Sequence, residues 1–185
     1  TQQTNGFTNA SIYSVDFVDA NTGWALDDAL NGRVFKTVDG GATWTVQYTC
    51  TNIYVDYTKL RFANANNGWA IGGIWYATGK VLRTVNGGTT WTELDVGSNV
   101  LVDIYVLNAT NVFVSGDGAT VRKSADAGAT WTDIGIPYSY DAFYGTGWQN
   151  TQTGFVCGVN GMVYKTVNGG ASWSGSWCGY YGNAS

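Results

Sequence analysis

Thr37-Val38-Asp39-Gly40-Gly41-Ala42-Thr43-Trp44 decides the fold, because the chain returns to this pattern three more times. The later copies are Thr84-Val85-Asn86-Gly87-Gly88-Thr89-Thr90-Trp91, Ser124-Ala125-Asp126-Ala127-Gly128-Ala129-Thr130-Trp131 and Thr166-Val167-Asn168-Gly169-Gly170-Ala171-Ser172-Trp173. The closing tryptophans are spaced 47, 40 and 42 residues apart. A second motif precedes each copy, as Phe17 to Trp24, Phe62 to Trp69, Tyr105 to Val112 and Trp148 to Phe155. A period of this length, with several short strands per unit, is the pattern of propeller blades.

Within the first unit, alternation and turn punctuation predict four strands, A to D: Ile12–Val18, Gly23–Asp27, Arg33–Val38 and Thr43–Thr49. Asn21-Thr22-Gly23 makes the A–B turn, and Asp39-Gly40-Gly41 makes the C–D turn through left-handed backbone. The Thr hydroxyl and the Asp or Asn side chain can satisfy amides inside that loop, while the tryptophan packs beneath it.

The pattern [S/T]-x-[D/N]-x-G-x-[S/T]-W resembles the Asp-box (BNR) repeat. The "GWA" of strand B and the run K/R-T-V-D/N-G-G-x-[S/T]-W resemble the photosystem II assembly factor-like subset. The resemblance spans about residues 11–178 and implies an all-β propeller of four-stranded antiparallel blades, four in this chain, with units near 11–50, 53–96, 99–135 and 142–178. Residues 1–10 and 179–185 fall outside the repeats as a polar leading segment and a tail. Function follows loosely, since such propellers include sialidases, xyloglucan-cleaving enzymes, sorting receptors, lectins and assembly factors. Four blades leave three arrangements open: a closed ring, part of a larger propeller, or blades joined between chains.

Composition agrees with that class. Charged residues make up 12%, glycines number 26 and histidine is absent from the 185 residues. A net charge of −4 with scattered Lys and Arg gives no electrostatic footprint for nucleic acid. No apolar run reaches membrane-spanning length. Without histidine the commonest general base and metal ligand are missing, so neither a metal nor a cofactor is expected. The opening lacks methionine and a basic-apolar leader, which reads as a mature or excised segment. Low charge with abundant Thr, Asn, Gly and aromatics predicts an extracellular, cell-surface or periplasmic location.

The box residues are read as structural rather than catalytic: Thr37, Asp39, Gly41 and Trp44, then Thr84, Asn86, Gly88 and Trp91, Ser124, Asp126, Gly128 and Trp131, and Thr166, Asn168, Gly170 and Trp173. Asp and Asn interchange between copies, which a general acid or metal ligand would rarely tolerate. The box tryptophans, with Trp24, Trp69, Val112 and Phe155, are expected in the core. A sialidase needs converging arginines, but Arg33, Arg83 and Arg122 read as equivalent strand-C positions spread around the ring. A glycosidase needs paired carboxylates, for which Asp27, Asp28, Asp103, Asp117 and Asp141 are the candidates. Cys157 takes the place of Leu26, Ile71 and Val114, so a buried thiol is expected. Sequons at Asn9, Asn108 and Asn183 mark glycosylation sites, though their number matches chance.

Aromatics left over from the repeat core are more informative. Tyr54, Tyr57, Trp75, Tyr76, Tyr138, Tyr140 and Tyr144 all fall in D–A connections or the B–C loop of the second unit, which share one face of a propeller. Loops are usually polar, so rings there suggest a binding surface for carbohydrate or protein. The expected function is a non-enzymatic binding or assembly module. The alternatives are a subunit of a bacterial surface fibre, self-associating through its termini, and a glycoside hydrolase.

Overall fold

A computed structural model describes residues 11–27, 32–75, 77–137, 139 and 141–178. Sixteen strands form four sheets. Blade one is β1 (Ile12–Phe17), β2 (Gly23–Asp27), β3 (Arg33–Thr37) and β4 (Thr45–Thr49). Blade two is β5 (Asp56–Phe62), β6 (Gly68–Ile74), β7 (Thr78–Thr84) and β8 (Thr92–Asp95). Blade three is β9 (Leu101–Val106), β10 (Val112–Gly116), β11 (Val121–Ser124) and β12 (Thr132–Asp133). Blade four is β13 (Phe143–Trp148), β14 (Gly154–Gly158), β15 (Met162–Thr166) and β16 (Ser174–Trp177). Each sheet runs in sequence order with antiparallel neighbours, the A-B-C-D blade of a propeller. Consequently the box turns lie at one end of every sheet, and the B–C and D–A connections lie at the other.

The box turns are built as their chemistry requires. Gly41 N–H donates to Thr37 Oγ1 at 2.8 Å, Thr37 Oγ1 donates to Asp39 Oδ1 at 2.7 Å, and Thr43 N–H donates to Asp39 Oδ1 at 2.8 Å. In the second copy Asn86 reproduces these bonds but donates through Nδ2 to Thr90 Oγ1 at 2.8 Å, where Asp39 accepts from Thr43 Oγ1 at 2.6 Å. A hydroxyl serves as either donor or acceptor, which explains why Asp and Asn exchange freely. Gly40 and Gly41 take φ values of 68° and 87°, the left-handed region that glycine enters at no steric cost.

Register identifies the equivalent positions. Gly23, Gly68, Val112 and Gly154 pair with Thr37, Thr84, Ser124 and Thr166, the first residue of each box. The next residues, Trp24, Trp69, Phe113 and Phe155, therefore share one site, and Leu26, Ile71, Ser115 and Cys157 share another. The expected alignment of blade three was one residue out: Phe113, not Val112, is the counterpart of Trp24. Sheet side chains alternate, so that single step exchanges the two faces.

The core consists of three layers between consecutive blades. Trp24, Leu26 and Val34 meet Val55, Tyr57, Leu60 and Phe62, with Trp24 stacked on Phe62 at 3.6 Å between ring centroids. Trp69, Ile71 and Val81 meet Leu101 and Ile104. Phe113 and Val121 meet Phe143 and Trp148, with Phe113 stacked on Trp148 at 3.8 Å. The first strands meet in series, β1 with β5, β5 with β9 and β9 with β13. Among the described residues no comparable packing joins β13 to β1, so the blades form an open row.

Three core expectations need correction. The box tryptophans are only half-buried, whereas Trp24 and Trp69 are sealed between blades. Phe155 is exposed and Cys157 is an exposed free thiol, because no fifth blade covers that face. Arg33, Arg83 and Arg122 are not equivalent: Arg83 matches Lys36 and Lys123, while Arg122 matches Phe35 and Arg33 lies further from the box.

Candidate functional site

Two of the aromatics read from sequence stand out at the loop end of blade two. Tyr54, between β4 and β5, is 72% exposed, and Trp75, between β6 and β7, is 61% exposed. Neither is held by accident. Asn52 Oδ1 accepts from Tyr54 N–H at 3.0 Å and Asn52 O accepts from Val55 N–H at 3.1 Å, closing a short turn. A second turn, Ala77 N–H to Ile74 O at 3.0 Å, carries Trp75 at its tip. Ile53 beside them is exposed as well. Exposed rings on hydrogen-bonded turns are preordered, so little side-chain and loop entropy is lost when a partner covers them.

Tyr144 is also exposed, at the start of β13 in blade four. Tyr57 corrects the expected set. It is buried in the layer between blades one and two, and its hydroxyl donates to Glu93 Oε2 at 2.6 Å. Burial, with the Glu93 carboxylate beside it, pushes the Tyr57 phenol far above its ordinary range, so it stays neutral. Glu93 in turn accepts from Lys80 at 2.9 Å, making this a structural network. Tyr76, Tyr138 and Tyr140 lie outside the described residues, as do Asp28, Asn9, Asn183 and the two terminal segments.

Sequence reasoning missed a cleft at the same end of blade three. Asn99, Thr120, Arg122, Asp133, Ile136 and Ser139 are among the residues lining a space of about 280 Å³. Arg122 donates to Asp133 Oδ2 at 3.1 Å and Asn99 Nδ2 donates to Thr120 Oγ1 at 3.2 Å. These residues come from three separate connections and from strands β11 and β12, so no contiguous motif could have announced them. Their mix of amide, hydroxyl and guanidinium groups suits the polar backbone of another chain.

Three of the candidate carboxylates, Asp27, Asp103 and Asp141, have structural partners. Asp27 is fully buried and accepts from Arg33 N–H, Nε and Nη2 at 2.7, 2.8 and 2.6 Å. Asp103 accepts from Lys59 Nζ at 2.5 Å and from Thr146 N–H at 2.7 Å, tying blade three to its neighbours. Asp141 accepts from Ser139 Oγ at 3.0 Å. Among the described residues no cluster of acidic or thiol groups is arranged to hold a metal. Among the described residues no helix is long and apolar enough to cross a membrane. Asn108 is exposed, but its Oδ1 accepts from Thr110 and Asn111 N–H at 3.0 and 2.8 Å, so that sequon builds an A–B turn.

The box carboxylates titrate in a way that tests their structural role. Hydrogen bonds from the Thr43 hydroxyl and amide hold Asp39 at about 2, against an ordinary 3.8, and the Thr130 bonds do the same for Asp126. A depressed folded pKa stabilises above 3.8 and loses that contribution as pH falls through about 2. The double variant Asp39→Asn/Asp126→Asn should keep its neutral-pH stability and show a flatter stability profile across that acid window. Thermal melts from neutral to acid pH check it. A marked loss at neutral pH would contradict the turn-building role.

With this geometry in hand, comparisons place the chain among known proteins. The family profile described as photosynthesis system II assembly factor YCF48 matches residues 2–101. No curated protein matches the sequence significantly. Among solved structures, YCF48 bound to a D1 peptide is 18% identical, with a TM-score of 0.70, and covers 94% of this chain and 55% of that one. YCF48 from Cyanidioschyzon merolae is 16% identical, with a TM-score of 0.67, over 94% of this chain and 58% of that one. An ancestral GH74 enzyme is 18% identical, with a TM-score of 0.75, over 94% of this chain and 26% of that one. These likenesses establish the fold, and the chain spans little more than half the length of the YCF48 structures. The family match corrects the expected location. Its name refers to the assembly of photosystem II, a photosynthetic complex inside the cell, so the extracellular, cell-surface or periplasmic reading is withdrawn.

Proposed function

We propose, because the chain belongs to the family of photosynthesis system II assembly factor YCF48, that it is a non-enzymatic binding module that holds an extended polypeptide segment during assembly. The observation that carries this reading is the pair of exposed rings, Tyr54 and Trp75, on ordered turns at the loop end of blade two. Both lie inside the stretch that matches the family profile. Flat rings anchor an apolar side chain, and the blade-three cleft offers donors and acceptors to the segment's backbone. A solved YCF48 structure bound to a D1 peptide supports this reading. Tyr144, exposed near the start of β13, and, by sequence position alone, Tyr76, Tyr138 and Tyr140 are further candidates.

A carbohydrate partner is the second reading, favoured by the exposed indole of Trp75 and by the GH74 fold neighbour. One experiment separates them. A fluorescent D1 peptide and a xyloglucan oligosaccharide are titrated in parallel against wild type and Tyr54→Ala/Trp75→Ala. Truncating two anchor residues should weaken peptide binding by roughly tenfold or more. Equal peptide affinity in both proteins, or saturable oligosaccharide binding without peptide binding, would overturn the proposal.

A further inference from the structure

Around the exposed rings, the loop end of blades two and three carries an excess of negative charge. Asp56, Glu93, Asp95, Asp117, Asp133 and Asp141 stand in these connections or on the strand ends beside them. Among the described residues only Lys80 and Arg122 stand against them, so six carboxylates face two cations. Both cations are already held. The Lys80 ammonium reaches Glu93 Oε1 at 2.9 Å and Asp95 Oδ1 at 2.5 Å, and Arg122 Nη2 reaches Asp133 Oδ2 at 3.1 Å.

The other cations of these two blades are committed between blades or placed toward the box turns. Lys59 pairs with Asp103 of blade three at 2.5 Å, and Lys123 donates to Thr151 O of blade four at 3.3 Å. Arg61 and Arg83 both pair in register with Trp69, one step from the box turn of blade two. Arg61 Nη1 donates to Leu60 O at 2.7 Å. Charge is therefore segregated along the two central blades, with cations toward the box turns and carboxylates toward the rings.

We propose that the segment held at this end is basic, seating lysine or arginine side chains over Tyr54 and Trp75 with their charges among the surrounding carboxylates. The proposal rests on the binding-module reading and adds to it the chemistry of the partner. An aromatic face attracts a cation, and the long stems of Lys and Arg lie along apolar surface while the charged head stays in polar surroundings. Tyr54 and Trp75 supply the faces, and exposed Ile53 adds apolar surface between the charges. The carboxylate surplus supplies the complementary field, which favours a basic segment and repels an acidic one. An uncharged segment would gain the ring contacts alone.

Three fluorescent peptides of equal length, sharing one aliphatic-aromatic core and flanked by lysine, glutamine or glutamate, test it. Titrated against the 185-residue chain at low salt, the lysine peptide should bind about tenfold tighter than the glutamine peptide, and the glutamate peptide weakest. Raising the salt should narrow that order, because exposed charges are screened. Asp56→Asn/Asp95→Asn changes two exposed carboxylates to amides of the same shape, so folding should persist, as circular dichroism will show. It should weaken the lysine peptide by about three- to tenfold and reduce its salt dependence. Equal affinity for the lysine and glutamine peptides, both weakened by Tyr54→Ala/Trp75→Ala, would overturn the basic partner and leave the binding module standing. Binding of none of the three would overturn both. A lysine-peptide affinity untouched by salt, or by the aspartate substitutions, would also overturn the proposal.

Discussion

Trp69→Ala is expected to lower the unfolding free energy by about 3–5 kcal/mol, the usual cost of truncating a large buried ring. Trp69 is sealed in the layer between blades two and three, and its Nε1 donates to Ala127 O in the blade-three box at 2.9 Å. Truncation removes both the packed ring and the donor, leaving a cavity at a junction held from both sides. Trp24 provides an internal control. It is equally buried, but its Nε1 makes no hydrogen bond. Trp24→Phe should therefore cost less than Trp69→Phe by about 1 kcal/mol, the net worth of one such bond. Urea titrations of the three variants measure these differences. Equal losses for the two phenylalanine variants would show that the Ala127 contact contributes nothing.

Arg33→Ala should be nearly as damaging, at about 3 kcal/mol, the low end for breaking a buried ion pair because Arg33 keeps some solvent contact. The loss comes from what remains: Asp27, fully buried, without its guanidinium partner. Repeat symmetry predicts a rescue. The position of Asp27 is held by Gly72, Gly116 and Gly158 in the other blades, each paired with the start of its first strand. Asp27→Gly/Arg33→Ala should therefore recover most of the loss, since it removes the stranded charge and restores the residue the fold uses three times. Chemical denaturation of the single and double variants decides it. A double variant no more stable than Arg33→Ala would mean that Asp27 has a value beyond the pair.

The repeat made the blades legible. Thr37, Asp39, Gly41 and Trp44 recur with their own hydrogen-bonding logic, so the turns and the strands beside them could be placed from sequence. Blade three lacks the glycine-aromatic pair that opens strand B elsewhere, as Gly23-Trp24, Gly68-Trp69 and Gly154-Phe155. There Asn111-Val112-Phe113 offers two apolar residues in a row, and only the pairing of Val112 with Ser124 decides which one faces the next blade. Tyr57 was misjudged for a related reason. It opens β5, and a ring at a strand's first turn reads like a loop residue until its Glu93 partner, 36 residues away, is seen. The exposure of Phe155 and Cys157 was not legible at all. Their local sequence matches that of buried counterparts, and what differs is the absence of a following blade. The polar cleft of blade three was equally hidden, being assembled from connections about twenty residues apart.

The serial layering gives the molecule an energetic grammar of nearest neighbours. Among the described residues, blades two and three are each clasped on both sides, whereas blades one and four are clasped on one. In such a quasi-linear system stability approximates a sum of unit terms and junction terms rather than one indivisible quantity. Opening should therefore begin at the ends and travel inward, with blade four, whose outer strand is exposed along its length, loosening first. The surface bearing Tyr54 and Trp75 sits on blade two, among the last parts of the chain to let go, and keeps its shape while the ends breathe.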